Sequence, residues 1–244
     1  KSVDIYFDCG DDDFLAIGNS MLHIELLKKG IPAKAVDSRK LIKTDSNFGE
    51  ALVLEDVSKE NVKRYFANNG HDLQLVTGFI ASNSKDETTT LGRNGSNYSA
   101  SLFANYLDAS ELESYTHVNG IYTANPDLVS NAQMIEELSY QEANELASFG
   151  ANILHAKTII PLVEKNIPLR LLNTFDKENK GTLIKSQATS KGIRSVTVQN
   201  NVSLINLEGR GLLGKIGVDA RIFTALSKVG INVSIISQGS SERG

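Results

Sequence analysis

Three stretches of this sequence carry residue types that can do chemistry. In the first, an apolar run ending Val76-Thr77-Gly78-Phe79-Ile80 is followed by residues 87–97, Glu-Thr-Thr-Thr-Leu-Gly-Arg-Asn-Gly-Ser-Asn, which lead into a helical pattern. A strand feeding a Thr/Gly loop, with Arg93 just before a helix that Ser96 or Asn97 would cap, makes a corner for anions. Free backbone N–H groups and the helix dipole attract negative charge, and the guanidinium offers paired donors to a carboxylate or phosphate. The spacing matches neither the dinucleotide fingerprint nor a Walker-type phosphate loop, and it also fits an ordinary capped helix after a surface loop. The second stretch, residues 115–127, reads Tyr-Thr-His-Val-Asn-Gly-Ile-Tyr-Thr-Ala-Asn-Pro-Asp, with turns at Asn119-Gly120 and Asn125-Pro126. At the carboxyl end of a strand in an open α/β sheet such a loop lies where ligands bind, although a plain hairpin has the same signature. The third, residues 149–158, holds His155, either a general base or a structural histidine at a helix boundary. No Ser-His-Asp or Cys-His arrangement supports nucleophilic hydrolysis. His117 has no partner at ligand spacing, so no metal site is expected.

The elements that must position these residues follow from periodicity. Residues 14–29 form an amphipathic helix closed by Gly30 as a left-handed cap. Residues 31–36 read as a strand, 60–68 as a short helix, and 73–80 as one buried strand. Helix 98–107 and strand 112–116 follow. Ser139 and Glu142 form a capping box for a helix through Leu146. Residues 152–166 are helical, with Pro161 starting or kinking a turn, and 168–173 form a strand. This alternation predicts an α/β domain with a mainly parallel sheet. Residues 177–181 and 185–192 are polar and rich in Lys, Ser, Thr and Gly, which suits an interdomain linker. Beyond them come strand 202–207, a glycine-rich turn 209–217, helix 218–229 and strand 231–236, half of a ferredoxin-like module. The five aspartates among the first 13 residues lack calcium-loop spacing and read as a solvated connection.

Composition narrows the classes. The chain has 244 residues, 25 Lys+Arg against 29 Asp+Glu, a net charge of −4 and a single cysteine, Cys9. No basic stripe points to nucleic acid, and no apolar stretch is long enough to span a membrane. One cysteine excludes an internal disulfide and makes a reducing cytoplasm the expected compartment. The start at Lys1 and the stop just after an apolar run read as cut ends, so the length is expected to be that of part of a longer chain.

Together the motifs resemble those of the aspartate kinases of the amino-acid-kinase family. Residues 76–80 with 87–97 are similar to GF…ETTTLGR-x-GSD, 116–126 to TD-x-x-G-x-YTADPR, and 138–158 to LSY-x-EA-x-EL…FGA-x-x-LH-x-x-T. Asn173-Thr174 and residues 181–184 follow in the family's order. Residues 209–223 and 231–242 resemble the first half of a regulatory ACT domain. The resemblance is strongest to the aspartokinase half of bifunctional aspartokinase–homoserine dehydrogenases. It implies a three-layer αβα sandwich over residues 1–189 and the first part of an ACT module over 190–244. It also implies transfer of the γ-phosphoryl group of ATP, with Mg2+ bound through the nucleotide, to the side-chain carboxylate of L-aspartate. By family position Asn19, Arg93, Asn94, Gly95, Ser96 and Asn97 hold the aspartate. Thr116, His117, Tyr122, Asp127, Asn152 and Ile153 line the ATP site. Lys215, Val218, Asp219, Val233, Ser234 and Gln238 surround an amino-acid effector, Thr or Lys. Pairing of ACT modules implies a homodimer or a higher oligomer, and a homoserine dehydrogenase can be fused downstream.

The sequence also departs from the family. The Lys-Phe-Gly-Gly strand is absent from these residues. Asn19 stands for a Glu, Asn97 and His117 each for an Asp, Asp127 for an Arg and Asn152 for a Lys. Loss of two cationic contacts, at roughly 1.5–3 kcal/mol each, predicts a cost on the order of 10²–10⁴ in binding or rate. Two further readings therefore stay open. One is a kinase-like regulatory subunit that keeps effector binding, and the other is a relative acting on glutamate or its acetylated form.

Overall fold

A computed structural model describes residues 5–7, 15–69, 73–148, 156–189, 192–198, 202–206, 216–231, 233 and 235–237. The first elements alternate as the periodicity requires: β1 (Ile5–Phe7), α1 (Leu15–Lys28), β2 (Ala33–Val36), α2 (Glu55–Asn69) and β3 (Leu73–Val76). β3 lies between β1 and β2, and both pair with it in parallel. A central parallel strand is covered on both faces, and Gln74, Leu75 and Val76 are accordingly buried. Gln74 is tolerated there because its side chain donates to the Asn69 carbonyl and accepts from the Tyr65 hydroxyl. β1 corrects the reading of the acidic N-terminal stretch as pure connection, since Ile5, Tyr6 and Phe7 have a ladder partner in β3.

β3 is shorter than the single strand expected over 73–80. Phe79 adopts a left-handed φ of 69°, and the chain re-forms as β4 (Ile80–Ser82), antiparallel to β5 (Thr88–Thr90). Hydrogen bonds explain the break. The Thr77 hydroxyl is engaged by Ser38, the Phe79 N–H donates to Ser99 Oγ, and the Phe79 carbonyl accepts from Leu91 N–H.

α3 (Gly95–Tyr106) follows and is buried on every side from Ser99 to Tyr106. Leu102, Phe103 and Tyr106 enter one core with Val36, Val62, Phe66 and Val76. Ala104 enters a second core with Leu138, Ile159, Leu162, Leu171 and Ile184. That second core backs a four-stranded sheet ordered β6-β8-β9-β7, from β6 (Leu112–Thr116), β7 (Glu137–Ser139), β8 (Leu169–Asn173) and β9 (Thr182–Lys185). β6/β8 and β7/β9 are parallel, whereas β8/β9 is antiparallel. The polar residues 177–181 are therefore the reversal between β8 and β9 and not a linker; hairpin turns and linkers share the same composition.

α4 (Tyr140–Ser148) carries the expected capping box: Glu142 Oε2 accepts from the Ser139 N–H at 2.7 Å, and Ser139 Oγ accepts from the Glu142 N–H. α5 (Ala156–Lys165) runs through Pro161 without ending. It lies beside α3 and parallel to it. Near their ends, Asn105 Nδ2 donates to the Pro161 carbonyl at 2.8 Å and to Glu164 Oε2 at 3.0 Å, and Lys165 pairs with Asp108. Asn105 is only 3% exposed, so Asn105→Leu leaves buried acceptors on α5 unpaired. The expected loss is about 1–3 kcal/mol in chemical unfolding, and a loss below about 0.5 kcal/mol would show the pair to be incidental.

The chain divides into two units, Lys1–Val198 and Gln199–Gly244. In the second, α6 (Val218–Lys228) forms where expected. The flanking strands expected at 202–207 and 231–236 are not formed among the described residues. Leu204 and Ile236 there are 97% and 67% exposed, and strands persist only with a ladder partner. No described helix is long and apolar enough to cross a membrane.

Candidate functional site

Chain direction assembles the site. α3 runs away from the end where β3 stops, and the short connection 107–111 returns the chain into β6, whose carboxyl end faces back. α5 and β8 repeat the reversal through 166–168. The carboxyl ends of β3, β6 and β8 and the amino ends of α3 and α5 therefore share one edge, the crevice where open α/β sheets take their ligands. The first two of the three stretches singled out for chemistry reach this edge, and residues 149–155 of the third lie outside the described residues.

At β3, Gly78 lets the strand end touch the helix start. A Cβ on Gly78 would lie 3.1 Å from Ser96 Cα and 3.2 Å from Ser96 Cβ. Asn94, not Ser96 or Asn97, precedes α3. It is left-handed at φ 56° and its side chain makes no cap. The expected cap is thus corrected: Ser96 and Asn97 lie inside the first turn, and no side chain from Asn94 competes for its N–H groups. Arg93 is exposed beside this turn, and its guanidinium makes no hydrogen bond or ion pair among the described residues. A free guanidinium beside an uncapped helix end suits a carboxylate or a phosphate.

A second cation stands close by. Lys157, in the first turn of α5, pairs with Glu50 at 3.1 Å, and Glu50 packs over Gly92, where an added Cβ would meet Glu50 Cγ at 2.8 Å. Neither Glu50 nor Lys157 was a candidate from sequence. They lie 107 positions apart, and no local pattern connects them.

The 115–127 stretch leaves β6 beside β8. Thr174 N–H donates to the Thr116 carbonyl, and Asn173 Nδ2 donates to Asn119 Oδ1 at 2.5 Å. The stretch is not a plain hairpin off β6. Residues 121–123 pair instead with 133–135: Thr123 N–H donates to the Gln133 carbonyl and Ile135 N–H to the Ile121 carbonyl. His117 and Asp127 are exposed and Tyr122 half-buried.

The other candidates stand apart. Asn19 lies on α1, and its side chain falls outside the described residues, as do Asn152, Ile153, His155, Lys215, Ser234 and Gln238. Val218 and Asp219 open α6, and Val233 is half-buried. No group of three or more His, Cys, Asp or Glu disposed to hold a metal occurs among the described residues.

Two tyrosines of α3 face the first core. Burial first, then the nearby Glu55 carboxylate, pushes the Tyr98 phenol up to about 12. Burial and a hydrogen bond to Glu55 raise Tyr106 further. Both phenols are held neutral, so their contribution is complete below the ordinary value of 10.0 and is lost as pH climbs above it, for Tyr98 through about 12. The midpoint of thermal unfolding should therefore fall more steeply above pH 10 in the parent than in a Tyr98→Phe/Tyr106→Phe variant; parallel curves would show these phenols to be uninvolved.

Residues 4–173 match the amino acid kinase family and residues 205–244 match the ACT domain. The chain belongs to the amino acid kinase family, and aspartokinases are among the relatives it matches. A chloroplastic bifunctional aspartokinase/homoserine dehydrogenase 2 from Zea mays is 37% identical over 229 residues, covering 91% of this chain and 25% of that protein. Aspartokinase III of E. coli, solved with aspartate and ADP, aligns with a TM-score of 0.76 and 32% identity over 90% of this chain and 50% of that one. Its complex with lysine and aspartate aligns with a TM-score of 0.79. The chain thus spans 25% of the bifunctional relative and 50% of aspartokinase III.

Proposed function

We propose that this chain is the kinase part of an aspartokinase, which transfers the γ-phosphoryl group of ATP to the side-chain carboxylate of L-aspartate. One carboxylate oxygen attacks the γ-phosphorus, the bond to the ADP oxygen breaks, and 4-phospho-L-aspartate forms. The acceptor is already an anion, so no general base is needed, and catalysis is positioning plus charge neutralisation. The observation that carries the reading is the Arg93 guanidinium, unpaired among the described residues, at the start of α3 that Asn94 does not cap, in a chain similar to an enzyme solved with aspartate and ADP.

In this reading Arg93, Asn94, Gly95 and Ser96, with Asn97 and Asn19, hold the aspartate. Thr116, His117, Tyr122, Asp127, Asn152 and Ile153 line the nucleotide. The donor set fits a polyphosphate beside the aspartate, since the first turns of α3 and α5 lie at one edge with Lys157. Mg2+ would be held through the nucleotide phosphates, where it would supply charge neutralisation without a cage of protein carboxylates. Lysine or threonine binds the ACT module around Lys215, Val218, Asp219, Val233, Ser234 and Gln238 and restrains the kinase. ACT modules of two chains pair, and a homoserine dehydrogenase follows in the whole protein.

The intact protein, given L-aspartate, MgATP and hydroxylamine, should yield aspartyl hydroxamate. A second reading, a regulatory subunit without catalysis, is favoured by the Asp127 carboxylate in the nucleotide loop. MgATP binding with no hydroxamate above the blank would select it.

A further inference from the structure

The segment just past the linker-like stretch 185–192 is clipped to the first unit. Residues 192–198 form no helix or strand. Yet Arg194 Nη2 donates to the Glu137 carbonyl at 2.6 Å, Ser195 Oγ to the Tyr122 carbonyl at 2.9 Å, and Val196 N–H to the Thr123 carbonyl at 2.9 Å. Tyr122 and Thr123 belong to the stem of the loop that follows β6. Their other side pairs with 133–135, where Thr123 N–H reaches the Gln133 carbonyl at 2.8 Å and Gln133 N–H reaches Thr123 Oγ1 at 3.0 Å. A two-stranded ribbon is marginal by itself, and the segment supplies its third member.

The clip is held at less than full strength. Arg194 Nη1 is buried without a partner, while the Glu137 carboxylate is taken by Lys185 Nζ at 2.7 Å and Thr189 Oγ1 at 3.1 Å. An orphaned buried donor is costly, so Arg194 holds through its bond to the Glu137 carbonyl and is the point at which the clip can be opened.

We propose that residues 192–198 are a strap that positions the 116–127 loop for nucleotide, with Arg194 as its anchor. The proposal rests on the aspartokinase reading and deepens it by naming what holds the nucleotide loop in place. Arg194, bound to the Glu137 carbonyl, acts through its neighbours Ser195 and Val196, which hold the Tyr122 and Thr123 carbonyls, and is therefore a positioning residue.

The test compares the intact parent with Arg194→Met, and with Ser195→Ala as a milder variant that leaves the guanidinium in place. In Arg194→Met the amides of Thr123, Gln133 and Val196 should exchange with solvent about tenfold faster, while those of Leu112 and Thr174, on the β6/β8 pair, hold the parent rate. The KM for MgATP should rise about five- to tenfold, with kcat and the KM for L-aspartate within about twofold of the parent. Ser195→Ala should move the same quantities in the same direction by less. Unchanged exchange at Thr123 and Gln133 overturns the strap. Faster exchange with an unchanged KM for MgATP reduces it to a structural clip and overturns the positioning role. If the parent makes no hydroxamate, only the aspartokinase reading fails. The exchange pattern and the calorimetric affinity for MgATP then decide the strap by themselves.

Discussion

Arg93→Ala in the intact protein should cut kcat/KM for L-aspartate by about 10²–10⁴-fold, the worth of a charge-assisted, two-pronged hydrogen bond together with the charge it neutralises. Arg93 is exposed and makes no ion pair or hydrogen bond among the described residues, so its removal takes nothing from the packing. The thermal midpoint should stay within about 2 °C of the parent, as surface substitutions outside special features change stability by about 0.5 kcal/mol at most. Arg93→Lys keeps the charge and loses the fork, and should fall between the two. The loss should fall on aspartate and spare the KM for MgATP. A KM for aspartate within about twofold of the parent would remove Arg93 from the substrate site, whatever else the protein does.

The largest expected effect on stability lies far from that edge, at Gly181. It opens β9 at φ 67°, and a Cβ there would come 1.8 Å from the Leu171 carbonyl oxygen and 2.9 Å from the carbonyl carbon. The neighbour is backbone of β8, held in register by the Leu171–Thr182 pair, and cannot swing aside as a side-chain tip would. Gly181→Ala combines a left-handed alanine, about 1–2 kcal/mol, with an overpacked contact of about 1–3 kcal/mol. For a unit of this size the sum lowers the melting temperature by about 5–15 °C. Gly49→Ala is the control, because nothing lies within 4 Å of its added Cβ. A Gly181→Ala protein melting alongside that control would mean that β8 and β9 can separate at no cost.

What the sequence made legible was local. Gly30 ends α1 with the Ile31 N–H reaching back to the Leu26 carbonyl and the Gly30 N–H to that of Leu27. Ser139 and Glu142 cap each other as their spacing requires. Arg93 stood out because a guanidinium next to a helix start is a short-range pattern. The rest depended on partners distant in the chain. The left-handed Phe79 is hidden in an unbroken apolar run, since what bends the chain is Ser99, twenty positions on. Residues 177–181 have linker composition yet turn between paired strands, and residues 192–198, just past the second linker-like stretch, are fastened to a loop some seventy residues earlier. The Glu50–Lys157 pair left no trace in spacing at all.

α3 contributes side chains to both cores at once, with Phe103 fully buried on one side and Ala104 on the other. Neither sheet can lose this helix without exposing the other's interior, so the two halves of the first unit share one fate. A cut or a chain break between them cannot release two separately folded pieces. Heating should carry both through a single transition, with the first sheet protecting the second for as long as the helix stays seated.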